Sequence, residues 1–180
     1  MKIVIGVTGA SGVIYGVRLL ENLKEEKFLI ISENAKKIIE YETEYKIKDV
    51  EKLAEHYYEN NDLFPAISSG SFMFDAMVIV PCSMSTLSKI ANGISDNLIT
   101  RTASVCLKEK RKLIIVPRET PVSTIHLQNM AKLSENGAII LPAMPGFYPK
   151  PKRIDDMINF VVGKIMDCLG IENNLYKRWG

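Results

Sequence analysis

The chain has 180 residues, of which 47% are hydrophobic and 24% charged, and this balance predicts one soluble globular domain with a substantial core. The 23 Lys and Arg residues against 21 Asp and Glu give a formal net charge of +2, and no basic run indicates a nucleic-acid partner. No apolar stretch approaches the length of a membrane span, so we expect no membrane segment.

The chain opens with KIVIGVTGASGVIYGVRLL, which predicts a buried parallel strand, a glycine turn and a helix. Gly9 and Gly12 let the backbone approach a ligand closely, and Ser11 between them adds a hydroxyl donor. A helix that begins at such a turn presents free N–H groups to an anion. The turn matches neither the dinucleotide fingerprint nor the P-loop, so an ordinary tight strand-to-helix turn is the alternative interpretation.

A second strand is predicted at Phe28–Ile31, and Ser32 follows it. Ser32 is well placed to N-cap the next helix, but the same position can face a ligand at the strand end. Glu42 lies on that helix and, from the residues alone, is a solvated charge. Residues 46–66 predict a polar surface helix that carries His56 on the surface.

The third predicted strand, Ala76–Val80, breaks at a proline, and a hydroxyl-rich helix start follows. Ser83, Ser85 and Thr86 repeat there the chemistry of the first turn. One such cluster is explained by helix capping. Two clusters on one parallel sheet are better explained by a phosphate-bearing ligand in the crevice between strands.

A helix at Asn97–Glu109 leads to the fourth predicted strand, Lys112–Val116. Arg118 and Glu119 come next, held between two prolines. Opposite charges in so stiff a loop suit a structural ion pair, and they equally suit an anion clamp with an adjacent acid–base group. Ser123 then opens a helix whose apolar face we assign to the core.

The fifth predicted strand, Ala138–Leu141, runs into a proline-stiffened loop that offers Tyr148. An amphipathic helix at Arg153–Leu169 follows, and the tail beyond it carries the only tryptophan, Trp179. A lone tryptophan in a polar tail is expected to dock, either on its own domain or on a neighbouring subunit.

Strands that alternate with helices, without a linker or repeat, predict a single domain over residues 1–180. We expect an α/β fold of three layers with a mainly parallel sheet, Rossmann-like or flavodoxin-like. The polar clusters after the strands then share one edge, where open α/β sheets bind ligands. The three cysteines form no metal-ligand pattern with the two histidines, so we expect no metal and a reduced, cytoplasmic setting.

Five motifs in this order resemble the UbiX-type flavin prenyltransferases, a family related to the flavin-dependent cysteine decarboxylases. The resemblance covers nearly the whole chain apart from residues 46–66. The motifs are GVTGASGVIYGVRLL, PCSMSTLSKIANGISDNLITR, VPRETPVSTIHLQNMAKLS, LPAMPGFYPKP and the terminal RWG.

The resemblance implies a metal-independent transfer of a dimethylallyl group from dimethylallyl monophosphate to N5 and C6 of reduced FMN. The product, prenylated FMN, serves UbiD-type decarboxylases. The family forms dodecamers in which neighbouring subunits supply some site residues. We therefore expect a homo-oligomer, with the tail at about 171–180 docked on a neighbour.

The resemblance also implies roles for individual residues. Tyr148 and Lys164 fall where the family holds the prenyl phosphate, Lys164 replacing the arginine of many members. Other active-site positions are Glu119, Glu42, Lys108 and Trp179, and the proton from C6 goes to Glu119, Glu42 or the departing phosphate. The residues at FMN-binding positions are Gly9, Ala10, Ser11, Ser32, Ser83, Met84, Ser85, Thr86 and Arg118.

Two other functions fit the same fold. An FMN-dependent cysteine decarboxylase would carry a different substrate motif where this chain has PAMPGFY, and its catalytic histidine has no convincing match. A non-catalytic FMN carrier would lack a second phosphate-binding set. Arg118, Glu119, Tyr148 and Lys164 together argue against a carrier, so the sequence favours the transferase.

Overall fold

A computed structural model describes residues 1–180 as a sheet of six parallel strands between two layers of helices. The strands are β1 (Lys2–Val7), β2 (Glu26–Ile31), β3 (His56–Glu59), β4 (Ala76–Cys82), β5 (Lys112–Pro117) and β6 (Ile139–Ile140). The helices are α1 (Ile14–Asn22), α2 (Glu33–Glu42), α3 (Ile47–Glu51), α4 (Met84–Ala91), α5 (Leu98–Glu109), α6 (Thr124–Glu135) and α7 (Ile154–Leu169). A short 3₁₀ turn spans Ala66–Ser68.

The strand order is β3-β2-β1-β4-β5-β6. The chain places β2 and β3 on one side of β1 and then crosses to the other side, where β4, β5 and β6 follow, so the strand order reverses between β1 and β4. In register, Ile5 lies opposite Leu29 on one side and Val78 on the other. Ligands of open parallel sheets bind at the carboxyl ends of the strands beside such a reversal. The topology therefore places a crevice between the loops that follow β1 and β4.

Side chains of the central strands alternate between two cores, because successive residues of a strand point to opposite faces. Ile5 and Val78 lie in the core beneath α1 and α7, whereas Val4 and Ile79 lie in the core beneath α4 and α5. All four are fully buried. Burial on both faces explains why these strands are continuous apolar runs in the sequence.

The predicted single α/β domain with a parallel sheet is confirmed, as are the helix N-caps at Ser32, Ser83 and Ser123. The expected count of five strands is wrong, since the sheet has six. None of the helices is both long and apolar enough to cross a membrane.

The polar helix predicted over residues 46–66 is also wrong. Only α3 is helical there, and β3 follows it as an edge strand parallel to β2. His56 is not simply a surface residue: its ring stacks on Phe28 with centroids 4.4 Å apart, and its Nε2 lies 3.0 Å from Glu26 Oε1. An edge strand needs little apolar sequence, because half-buried aromatic and polar side chains suffice to cover one sheet face.

Candidate functional site

Backbone hydrogen bonds draw the strand-end loops into one continuous edge. The N–H of Ser32, after β2, donates to Val7 O at 3.0 Å. On the far side of β4, the N–H of Arg118 donates to Cys82 O at 3.3 Å, and Ala143 N donates to Pro117 O at 3.1 Å. The loops after β2, β1, β4, β5 and β6 therefore lie in spatial sequence along the carboxyl edge of the sheet.

The loop after β1 is the first part of the site. Gly12 adopts φ +92°, a left-handed conformation that side chains disfavour, and this turn lets the chain enter α1. Its N–H donates to Glu42 Oε2 at 2.8 Å, so the carboxylate at the end of α2 reaches across to the turn. Ser11 is exposed beside it, and its own N–H has no acceptor within the protein. The loop thus combines a free donor with a nearby carboxylate.

Two helices begin at this edge with serine caps. The Ser32 hydroxyl accepts from Ala35 N at 3.2 Å, and the Ser83 hydroxyl accepts from Thr86 N at 3.3 Å. Capping leaves other first-turn N–H groups of α2 and α4 without helical partners. Both N-termini therefore offer donors and a positive dipole end to a ligand in the crevice.

Thr8 joins the two loops beside the reversal point and is only 1% exposed. Its hydroxyl donates to Pro81 O at 2.8 Å and accepts from Ser83 N at 2.7 Å. The spacing between the first turn and the start of α4 thus depends on one buried side chain. Sequence reasoning missed Thr8, although a hydroxyl directly before the first glycine turn was a usable signal.

A pocket of about 350 Å³ opens where the loops after β4, β5 and β6 meet. Met84, Arg118 and Glu119 contribute to its wall, so three of the predicted site residues come together there. Apolar side chains from α6 and from the loop after β6, including Met130 and Met144, complete it. Met130 therefore faces the pocket, where we had assigned its helix face to the core.

The buried Nε of Arg118 has no hydrogen-bond partner in the protein. A buried guanidinium donor left unpaired is costly, and a ligand anion or carbonyl at the pocket would satisfy it. Tyr15 on α1 lies close enough that the charge of Arg118 works to lower its pKa, although burial of the phenol dominates and raises it. Nothing in the sequence pattern distinguished Tyr15 from a core residue of its helix.

Glu119 points to solvent at the pocket rim, with Oε1 accepting from the N–H of Thr120 at 3.1 Å. No ion pair joins it to Arg118. The structural-pair interpretation of the two residues therefore fails, and both side chains are available to a ligand.

Tyr148 forms an aromatic cluster with the last helix and the tail. Its ring packs edge-on against Phe160 at 5.6 Å and against Trp179 at 5.4 Å between centroids. Lys164 lies on α7, as Phe160 does, with its Nζ 3.8 Å from Asp167 Oδ2. The predicted prenyl-phosphate residues Tyr148 and Lys164 are thus on the α7 side of the molecule and do not line the pocket at Arg118.

Lys108 lies apart from the other predicted site residues. It is near the end of α5, just before β5 begins, which places it at the amino edge of the sheet. Its ammonium pairs with Glu109. Within one subunit, Lys108 cannot take part in chemistry at the carboxyl edge.

The carboxyl edge suits a flavin phosphate and ring. Free donors at the two helix starts and the first turn match a phosphate, and the unpaired Arg118 beside an apolar pocket wall matches a polar heterocycle. No three His, Cys, Asp or Glu side chains cluster as ligands for a metal ion.

The chain is similar to known flavoproteins over most of its length. Residues 1–166 match the family model described as Flavoprotein. A flavin prenyltransferase UbiX from Thermoplasma acidophilum is 60% identical over 180 residues, which cover 99% of this chain and all of that protein.

Two solved structures superpose on nearly the whole chain. A dodecameric FMN-dependent UbiX-like decarboxylase from Escherichia coli O157:H7 has a TM-score of 0.98 and 45% identity, with full coverage of both chains. AnUbiX in complex with FMN and dimethylallyl pyrophosphate has a TM-score of 0.98 and 43% identity, covering 99% of this chain and 97% of that one.

Proposed function

The chain belongs to the UbiX-type flavin prenyltransferases, and on that premise we propose how its own residues divide the work of the reaction. The activity is transfer of a dimethylallyl group to reduced FMN, which gives prenylated FMN. The observation that carries the assignment of roles is the buried, unpaired Nε of Arg118 at a pocket that also holds Glu119.

FMN binds along the carboxyl edge. The turn Gly9–Ser11 and the two capped helix starts receive the phosphate through backbone N–H groups and the hydroxyls of Ser11, Ser32, Ser83, Ser85 and Thr86. Arg118 then donates from Nε to the flavin. Reduced flavin supplies the electron-rich atoms that form the new bonds, and the protein fixes where they lie.

The prenyl phosphate binds through Tyr148 and Lys164. Breaking the allylic C–O bond leaves the bonding electron pair on the phosphate oxygen, and a cation with a phenolic hydroxyl donor stabilises that charge as it develops. The exposed indole of Trp179, held against Tyr148, offers a π face to the allyl cation. The stabilising groups are therefore separate from those that hold FMN.

Glu119 is the better placed of the two candidate bases for the proton that leaves C6. Its carboxylate lines the pocket and accepts only one backbone hydrogen bond. Glu42 is engaged by the N–H of Gly12 and does not line that pocket. We assign proton removal to Glu119 and positioning of the first turn to Glu42.

Assembly completes the site. A dodecamer brings Lys108, which lies at the amino edge within one subunit, to the site of a neighbour. The tail stays packed on its own α7, and the dodecamer places the exposed face of Trp179 against another subunit. The dodecameric state of the UbiX-like decarboxylase from Escherichia coli O157:H7 supports the assembly. The recipient of the product is a UbiD-type decarboxylase, and the setting is cytoplasmic, in keeping with three unpaired cysteines.

The test is anaerobic incubation of the protein with reduced FMN and dimethylallyl monophosphate, followed by mass analysis of the flavin. We expect a flavin heavier by one dimethylallyl group, formed only when FMN is reduced and the prenyl donor is present. The diphosphate serves as a parallel donor to reveal the preferred leaving group. Recovery of unmodified FMN from the protein that binds it would contradict the transferase and favour a carrier.

A further inference from the structure

Asp167 collects more hydrogen bonds than any other carboxylate of the chain, and none of the roles above uses it. Its oxygens accept from Tyr176 Oη at 2.5 Å, Arg178 Nη2 at 2.7 Å and Asn173 Nδ2 at 2.9 Å. All three donors belong to the tail beyond α7. A single carboxylate on the helix thus fastens three points of the segment that follows it.

The charges support the same contact. Partial burial works to raise the pKa of Asp167, but hydrogen bonds from Arg178, Tyr176 and Asn173 outweigh it and lower the pKa. Burial and the bond to Asp167 raise the pKa of Tyr176 to about 12, so the phenol stays a donor at neutral pH. Asp167 is therefore ionised and fully engaged under physiological conditions.

The helix is shaped to receive the tail. A Cβ added at Gly163 would lie 2.5 Å from Tyr176 Cδ1, so the ring occupies the space that only a glycine leaves. Tyr176 also packs on Phe160 with centroids 5.0 Å apart. Three residues further along the tail, the ring of Trp179 packs against Tyr148.

We propose that Asp167 is a positioning residue that clamps the tail onto α7, and so sets Trp179 and Lys164 for binding of the prenyl phosphate. The clamp holds Tyr176 and Arg178 directly, and their placement fixes the indole beside Tyr148. The same carboxylate lies 3.8 Å from the ammonium of Lys164, one helical turn away. This role rests on the proposed function of Tyr148 and Lys164.

Two variants loosen the clamp by independent means. Asp167→Asn keeps the shape but removes the charge that holds Arg178. Gly163→Ala leaves Asp167 intact, inserts a methyl group under Tyr176, and otherwise favours the helix, since alanine is the better helix former. Glu172→Gln is the matched control, because Glu172 is an exposed acid within the tail itself that makes no hydrogen bond or ion pair.

Trp179 is the only tryptophan, so its fluorescence anisotropy decay reports the mobility of the tail directly. We expect faster local motion of Trp179 in Asp167→Asn and Gly163→Ala, and parental behaviour in Glu172→Gln. Loss of the charged hydrogen bond to Arg178 corresponds to about a tenfold change, so the KM for dimethylallyl monophosphate should rise about tenfold in Asp167→Asn. Gly163→Ala displaces the Tyr176 ring and should raise the same KM. The affinity for FMN should stay within about twofold, because the flavin residues lie on other loops.

Parental Trp179 mobility in both clamp variants would overturn the clamp. Increased mobility with an unchanged KM would overturn its role in prenyl-phosphate binding. The fluorescence measurement needs neither substrate, so it tests whether Asp167 holds the tail even if the parent protein makes no prenylated flavin. Absence of prenylated flavin in the parent would contradict the proposed function and not the clamp. FMN affinity in each variant shows that the fold is intact.

Discussion

The hydroxyl of Thr8 accepts a hydrogen bond from the backbone N–H of Ser83 at 2.7 Å, across the point where the strand order reverses. It donates in turn to Pro81 O at 2.8 Å. One buried threonine therefore fixes the distance between the first turn and the start of α4, the two places where we assign the FMN phosphate.

Thr8→Val should weaken FMN binding by roughly tenfold. Valine keeps the shape of threonine but leaves the partly buried N–H of Ser83 without a partner, which costs about 1–3 kcal/mol. Thr8→Ser retains the hydroxyl and should bind FMN nearly as the parent does. Fluorescence titration with FMN compares the three proteins, and equal affinity of the valine variant would show that the loops hold their spacing without Thr8.

Ser11→Leu should abolish retention of FMN. Ser11 is exposed in the turn after β1, beside the N–H groups that we assign to the flavin phosphate, and a leucine there fills the approach. Ser134→Leu makes the same change at an exposed position on α6 and should leave binding intact. The flavin absorbance of each purified protein measures occupancy, and full occupancy of Ser11→Leu would exclude the first turn from the site.

The sequence predicted the parts of the fold and site that depend on local chemistry. Serine hydroxyls after a buried strand, at Ser32 and Ser83, predict helix caps at the carboxyl edge because the side chain bonds its own helix. Arg118 and Glu119 follow the predicted strand Lys112–Val116 directly, so the sequence also predicted that they lie at the carboxyl edge. Such inferences need only neighbouring residues and the rule that parallel strands end on one side.

What escaped prediction depends on distant contacts. β3 gains its stability as a strand from pairing with β2 and from the stacking of His56 on Phe28, neither of which a polar stretch reveals. The charge of Arg118 acts on Tyr15 from another element, and Asp167 meets the tail only after the chain turns back at the end of α7. These contacts join residues that are far apart in the chain, so no local sequence pattern predicts them.

Only one of the three cysteines should react with a thiol reagent in the folded protein. Burial raises the pKa of Cys82 far above its usual range and that of Cys106 to about 12, so neither forms thiolate near pH 8. Cys168 is partly exposed. Counting labels by mass after brief treatment with iodoacetamide should give one in the native protein and three after denaturation. Rapid native labelling of Cys82 would show that its surroundings open.

Deletion of Tyr176–Gly180 should impair prenyl transfer far more than FMN binding. The deletion removes Trp179 from Tyr148 and Tyr176 from Phe160, but it leaves the loops after β1, β4 and β5 unchanged. We expect FMN affinity within about twofold of the parent. Single-turnover measurements compare the rates of product formation, and light scattering reports the assembly. A truncated protein that is fully active as a monomer would contradict both the role of the tail and the proposed oligomer.

Glu119→Gln separates the transferase mechanism from simple flavin binding. Glutamine keeps the size and the hydrogen bond from Thr120 but cannot accept a proton as a carboxylate does. General acid–base groups contribute about 10²- to 10⁴-fold, so formation of prenylated FMN should slow by that order while FMN affinity is retained. Flavin alkylated at N5 alone should accumulate if the proton leaves after the first bond forms.

The matched control is Glu135→Gln, an exposed carboxylate at the end of α6 that does not line the pocket. It should react at the parental rate. Product formation is measured in a single turnover with both substrates saturating, so that weaker binding cannot imitate slower chemistry. If Glu119→Gln matches the parent, the proton goes to the departing phosphate or to Glu42. Glu42→Gln then decides between them: a slower reaction with FMN affinity retained assigns the proton to Glu42, and a parental rate assigns it to the phosphate.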